Sequence, residues 1–182
     1  EVVGNNTGER FDLESPDKGM SRAAVEGWIT YEKAKSLFAM TGRDLDSLKK
    51  TALDRGFRPV ELGATASLTI RNTLRRIESA NFVAKLDGRD PKLRNEYVIY
   101  TAHWDHFGIG PEVDGDKIYN GAYDNASGVA GIMEIARAFT KVDPPPRRSV
   151  LFLAVTAEEQ GLLGAQYYAE NPLYPLEGTA GI

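Results

Sequence analysis

Apolar positions recur at two different periods along this chain. From Ala23 to Met40, Val25, Trp28, Ile29, Ala34, Leu37 and Phe38 fall roughly at helical spacing, and Thr41-Gly42 stops the pattern. Asp44 offers an N-cap for a second helix, through Leu45, Leu48 and Leu53 to Gly56, before Pro59 breaks the chain. The period then drops to two. Over Thr65–Ile77, Ala66, Leu68 and Ile70 alternate with Thr65, Ser67, Thr69 and Arg71, which predicts a half-exposed strand. Ser79-Ala80-Asn81 is placed to turn that strand into Phe82–Leu86 as an antiparallel hairpin.

Tyr97–Ala102 is short, apolar and bounded by charge, the pattern of an inner strand. Residues 108–121 read as a long glycine-containing loop. Ala126–Phe139 is an amphipathic helix carrying Val129, Ile132, Ile135, Ala136 and Phe139 on one face, ended by Pro144-Pro145-Pro146. Ser149–Ala157 is the most hydrophobic strand, and Leu162–Asn171 is a further helix closed by Pro172 and Pro175. Strand, loop, helix, strand, helix is the order of a βαβ unit. With the preceding hairpin, this predicts an α/β fold: a mixed sheet with helices on both faces. Residues 1–22 are polar and rich in Gly, Asn and Pro, and read as loop.

The 182 residues suffice for one well-buried core and a small appendage. Apolar content of 42% and charged content of 26% are those of a soluble globular protein. A net charge of −4, with basic residues only in short pairs such as Arg75-Arg76 and Arg147-Arg148, points away from a nucleic-acid partner. The longest apolar run, Val150–Val155, has the length of a strand and falls far short of the roughly 20 residues a membrane helix needs. The absence of cysteine excludes disulfides, thiolate metal sites and a cysteine nucleophile. The chain opens at Glu1 without an initiating Met, from which a removed upstream segment is expected.

Three clusters carry chemistry. His103-Trp104-Asp105 follows directly on the Tyr97–Ala102 strand, at the carboxyl end where open α/β sheets bind ligands. The Asp105 carboxylate is placed to accept one imidazole N–H of His103 and leave the other nitrogen for a metal; a loop-edge histidine beside a solvated aspartate fits the same residues. Asp124-Asn125 precedes a helix, where such residues routinely act as N-caps. Asn125 can cap while Asp124 faces a site, and Gly121 and Gly128 allow close backbone approach. Glu158-Glu159 follows the most apolar strand; one carboxylate can bind metal while the other takes a proton from water, or both can simply open the next helix. His106 reads as a neighbour of the site rather than a ligand. His103 and His106 are the only histidines.

The stretches Tyr100-Thr-Ala-His-Trp-Asp-His-Phe-Gly108, Asn120-Gly-Ala-Tyr-Asp-Asn-Ala-Ser-Gly-Val129 and Ala154-Val-Thr-Ala-Glu-Glu-Gln-Gly-Leu-Leu-Gly164 resemble the family-28 metallopeptidases, the co-catalytic di-zinc aminopeptidases and their carboxypeptidase relatives. The resemblance covers about residues 60–182. It implies a zinc-peptidase-like sheet of the phosphorylase/hydrolase type, incomplete here, with 23–182 as the N-terminal part of a catalytic domain. Gly27-Trp28-Ile29 is similar to bacterial members in which a protease-associated domain comes first, and 1–22 is then the tail of that domain. By resemblance His103 binds one zinc, Asp105 orients it, Asp124 bridges two zincs, Glu159 binds the second and Glu158 is the general base. Two further ligands of the family, an Asp and a later His, are not among these residues.

The resemblance implies a zinc-dependent exopeptidase, foremost an aminopeptidase acting on peptides, that is secreted or periplasmic. A second expectation is a folded but catalytically impaired fragment that binds metal weakly and self-associates as a homo-oligomer through an exposed sheet edge. Neither a nucleic acid nor a membrane is expected as partner.

Overall fold

The computed structural model describes residues 9–182; of the loop expected over 1–22, residues 1–8 lie outside the described residues. The chain divides into two compact units. Among the described residues, one holds Glu9, Arg10 and Glu14–Arg75, the other Phe11–Leu13 with Arg76–Ile182.

The first unit contains two helices, α1 (Tyr31–Met40) and α2 (Leu45–Thr51). The helix expected from Ala23 begins only at Tyr31. Thr30 is extended and its hydroxyl accepts the Lys33 N–H, which caps the helix there, and Gly27 disfavours any extension upstream. Trp28 and Ile29, although helically spaced with later apolar positions, stay exposed. Asp44 caps α2 as expected, accepting the Ser47 N–H at 2.6 Å. Tyr31 and Lys35 of α1 both engage Asp46 of α2.

Residues 65–77 form no strand, which corrects the alternation reading. Alternation specifies a strand only where a neighbouring backbone can accept its hydrogen bonds. The expected partner, β1 (Phe82–Leu86), pairs antiparallel with β5 (Ser149–Val155), with Phe82 opposite Ala154, and stands at the end of its sheet without residues 65–77 beside it as a strand. Leu68 and Leu74 consequently remain exposed.

The second unit is built on a four-stranded mixed sheet in the order β1-β5-β2-β6, with β2 at Tyr97–His103 and β6 at Thr179–Gly181. β5 runs parallel to β2, and β2 parallel to β6. Strand alternation splits the core between the two faces. Ile99, Leu151, Leu153 and Val155 meet Tyr168 of α4 (Leu163–Glu170) on one face. Tyr100 and Phe152 meet Phe139 of α3 (Ser127–Phe139) on the other, with ring centroids 5.9–6.3 Å apart. The sheet is therefore mixed with a helix on each face, as expected. β5 is one of its two inner strands; every residue but Ala154 is buried, which is why it read as a continuous apolar run.

Residues 108–121 are more ordered than the loop reading allowed. They contain a two-stranded hairpin, β3 (Gly108–Val113) and β4 (Asp116–Tyr119), turned by Asp114-Gly115 with both φ angles positive. That is the two-residue turn Asp-Gly favours. Among the described residues no helix is long and apolar enough to cross a membrane.

Candidate metal centre

The register of two parallel strands assembles the site. His103, the last residue of β2, lies opposite Val155, the last residue of β5, and the Trp104 N–H donates to the Val155 carbonyl at 3.0 Å to extend the pairing by one bond. The chain then reaches Glu158 and Glu159 within three or four residues of that point. Ala157 and Leu162 take left-handed backbone angles (φ 51° and 62°), so the connection carrying the two glutamates is sharply turned. Asn81, which the sequence suggested only as a turn residue, pins it. Its side chain accepts the Thr156 N–H and donates to the Gly164 carbonyl. Only the fold reveals this, because the partners lie about eighty positions away in sequence.

The third cluster arrives on the turn before α3. Asn125 Oδ1 accepts the Gly128 N–H at 2.9 Å and caps the helix. A side chain at 128 would collide with that cap. Asp124, across a cis peptide from Asn125, reaches His103, with Oδ1 3.0 Å from Nε2. One donor atom from each of His103, Asp124 and Glu159 lies within 4.8 Å of the others. Glu158 Oε2 is 3.8 Å from His103 Nε2, so the second glutamate borders the same space.

Asp105 is arranged differently from the sequence expectation. The Nδ1–H of His103 donates to the main-chain carbonyl of Asp105 at 3.0 Å. The Asp105 carboxylate stands 3.8 Å from Nδ1 and instead accepts the Glu158 N–H through both oxygens, at 3.2 and 3.1 Å. Residue 105 thus orients the histidine with its backbone and the Glu158 loop with its side chain. His106, expected as a neighbour, places Nδ1 2.6 Å from Glu159 Oε1.

His103 is buried. Burial opposes the charged imidazolium, but the Asp105 carbonyl and the carboxylates of Glu158, Asp105 and Asp124 outweigh it and raise its pKa above the ordinary value. Both ring nitrogens face oxygen acceptors. Without a cation, a proton on Nε2 must reconcile the ring with Asp124; a metal ion at that position meets the same lone pairs without the proton. The donor set is one imidazole and two carboxylates with no thiolate, which suits zinc at a hydrolytic site. A cleft of 320 Å³ opens beside it, lined by Trp104, Asp105, His106, Tyr119 and Asn125 among others.

Known proteins share this segment. A probable zinc metalloprotease of Pyrenophora tritici-repentis (strain Pt-1C-BFP) is 38% identical over 97 residues, 52% of this chain and 21% of that protein. Aminopeptidase NAALADL1 of Mus musculus is 29% identical over 164 residues, 82% of this chain and 20% of that protein. Among solved structures, a Peptidase M28 precursor from Shewanella amazonensis SB2B is 31% identical, with a TM-score of 0.42 over 50% of this chain and 18% of that one. The chain spans between 7% and 21% of the length of these curated relatives and of the similar vacuolar membrane protease of Verticillium alfalfae. The model of peptidase family M28 matches residues 81–180, more than half of the chain and the whole stretch that brings the three clusters together; the chain belongs to that family.

Proposed function

We propose that this chain is the part of a zinc-dependent exopeptidase, of the aminopeptidase type, that holds its metal and its general base. The observation carrying this is the convergence of His103, Asp124 and Glu159 donor atoms within 4.8 Å, with Glu158 at their border. Zinc, when bound, supplies a Lewis acid that polarises the scissile carbonyl and lowers the pKa of the attacking water. Glu158 accepts the proton of that water and returns it to the departing amine, the exchange a carboxylate at the edge of such a site performs. The Asp105 carboxylate, bound to the Glu158 N–H, keeps that residue facing the site. The Asp105 carbonyl keeps the His103 Nδ1 proton in place, so that Nε2 faces the metal position.

The test pairs a calorimetric zinc titration with hydrolysis of an aminoacyl chromophore. Glu158→Gln is expected to keep zinc affinity and lose turnover by at least about 100-fold. Turnover that survives this substitution refutes the base assignment.

A second reading rests on the donor count. A two-zinc site needs more ligands than the three that converge here, and no histidine besides His103 and His106 exists in the chain. On that reading these residues alone bind a single zinc and turn over little or no substrate. A stoichiometry of one zinc per chain without hydrolysis supports it; two zincs with turnover reject it.

A further inference from the structure

His106 has no part in the chemistry just described, yet it is tied to a residue that does. Its Nδ1 lies 2.6 Å from Glu159 Oε1, and the two side chains are only 19% and 14% exposed. A carboxylate can only accept, so the imidazole donates its Nδ1–H. His106 stands outside the group formed by His103, Asp124 and Glu159. We propose that His106 is a positioning residue for Glu159, holding Oε1 so that the carboxylate is oriented toward His103 and Asp124 before any metal arrives. This inference rests on the metal reading given under Proposed function.

The imidazole is itself held on two sides. Gly121 takes a left-handed conformation (φ 63°), and a Cβ there would lie 2.7 Å from His106 Cβ and 2.9 Å from Cγ. The backbone between β4 and α3 is therefore pressed against the ring, and only glycine permits it. Phe107 packs beside the ring at 4.7 Å and meets Tyr119 edge-on at 6.0 Å. Tyr119 closes the base of the β3–β4 hairpin, where it pairs with Gly108. The hairpin base thus fixes Phe107, Phe107 and Gly121 fix His106, and His106 fixes a carboxylate 53 positions away on the β5 connection. A glutamate side chain loses substantial rotamer freedom when it is immobilised. Prior immobilisation removes that cost from metal binding, and partners of metal ligands typically alter metal affinity by about 10–100-fold.

The experiment measures zinc affinity of the 182-residue chain by competition with a chromophoric chelator at fixed pH, with circular dichroism confirming that each variant is folded. His106→Leu is expected to weaken zinc binding by about 10–100-fold. His106→Asn, whose amide N–H lies near the Nδ1 position, is expected to recover most of that loss, whereas a ring needed only for packing is not replaced by Asn. In a Glu159→Gln background His106→Leu is expected to add little, because the two act as a pair. Long-range proton–nitrogen NMR of the metal-free wild-type chain needs no variant, and the two histidines make its assignment simple. It is expected to find Nδ1 of His106 protonated. Zinc affinity of His106→Leu within about threefold of wild type, an undiminished effect in the Glu159→Gln background, or a neutral ring protonated only at Nε2 overturns the proposal. A wild-type chain without zinc affinity overturns the metal reading along with it, while weak coupling in a zinc-binding chain overturns this inference alone.

Discussion

Asp105→Ala separates the two jobs the structure gives residue 105. The substitution removes the carboxylate that accepts the Glu158 N–H at 3.2 and 3.1 Å and leaves the carbonyl that accepts from His103 Nδ1 at 3.0 Å. A hydrogen bond to a charged acceptor contributes about 1.5–3 kcal/mol. Here one N–H is shared between two oxygens at long range, and the carboxylate keeps 17% of its exposure, so the lower half of that range applies, about 2 kcal/mol. With a urea slope of roughly 2 kcal/mol per molar, the unfolding midpoint followed by far-UV circular dichroism falls by about 1 M. Asp105→Asn retains an acceptor oxygen and loses about half as much. In both variants His103 keeps its Nδ1 proton, read by long-range proton–nitrogen NMR. A midpoint shift below about 0.25 M in Asp105→Ala, or loss of that proton, refutes the division and returns the carboxylate to the histidine.

Other consequences follow from the same geometry. Gly121→Ala combines a left-handed backbone with a methyl 2.7 Å from His106 Cβ and 2.8 Å from the Asp124 carbonyl; it is expected to cost about 2–5 kcal/mol in urea unfolding, and a loss under 1 kcal/mol contradicts the close approach. Leu151, 1% exposed on the inner strand β5, is expected to lose about 2–5 kcal/mol on replacement by Ala, measured the same way. Asp90 is held below the usual carboxylate range, first by its bond with Arg147 and then by the Lys92 N–H. Its stabilisation is present above the unfolded Asp pKa and is lost as pH falls through the lower folded value. The stability gap between wild type and Asp90→Asn is therefore expected to shrink as pH drops below about 4, and a gap that widens there reverses the sign. The raised pKa of His103 means that a proton must leave before zinc binds. Zinc affinity is expected to rise with pH until His103 has lost its proton, with proton release visible as a buffer-dependent calorimetric heat; an affinity independent of pH contradicts this.

Periodicity revealed the elements whose partners are local or whose burial is complete. β5 is buried on both faces, so its apolar run is continuous and its limits fell within two residues of Val155. α3 places Val129, Ile132, Ile135 and Phe139 toward the sheet at the spacing the chain displays. Where pairing is not local, the same signal misled. Thr65–Ile77 alternates as well as any strand, yet it pairs with no strand, although β1 stands at the end of the sheet with β5 on one side; nothing within those residues encodes that. The β3–β4 hairpin was legible, since Asp114-Gly115 is the turn signal for it, but glycine-rich flanks obscured the short strands.

The site shows a related boundary. Residue types and their places at strand ends were enough to single out His103, Asp124, Glu158 and Glu159, because metal and proton-transfer chemistry restricts which side chains qualify. What holds those side chains in place was much less visible. The groups that do so are the Asp105 backbone carbonyl, the Asn81 amide, the Gly121 main chain and the His106 Nδ1–H. A main-chain carbonyl carries no signature of its residue type, Asn and Gly are the ordinary residues of turns, and His106 was legible as a neighbour of the site but its partner, 53 positions away, was not. The residues proposed to hold metal and move the proton are therefore marked by composition, while several of the groups that position them are marked only by register. In this chain that register is fixed by one pairing, His103 opposite Val155. A one-residue slip of β2 against β5 would move His103 to the opposite face of the sheet, away from Asp124, with the sequence of every motif unchanged.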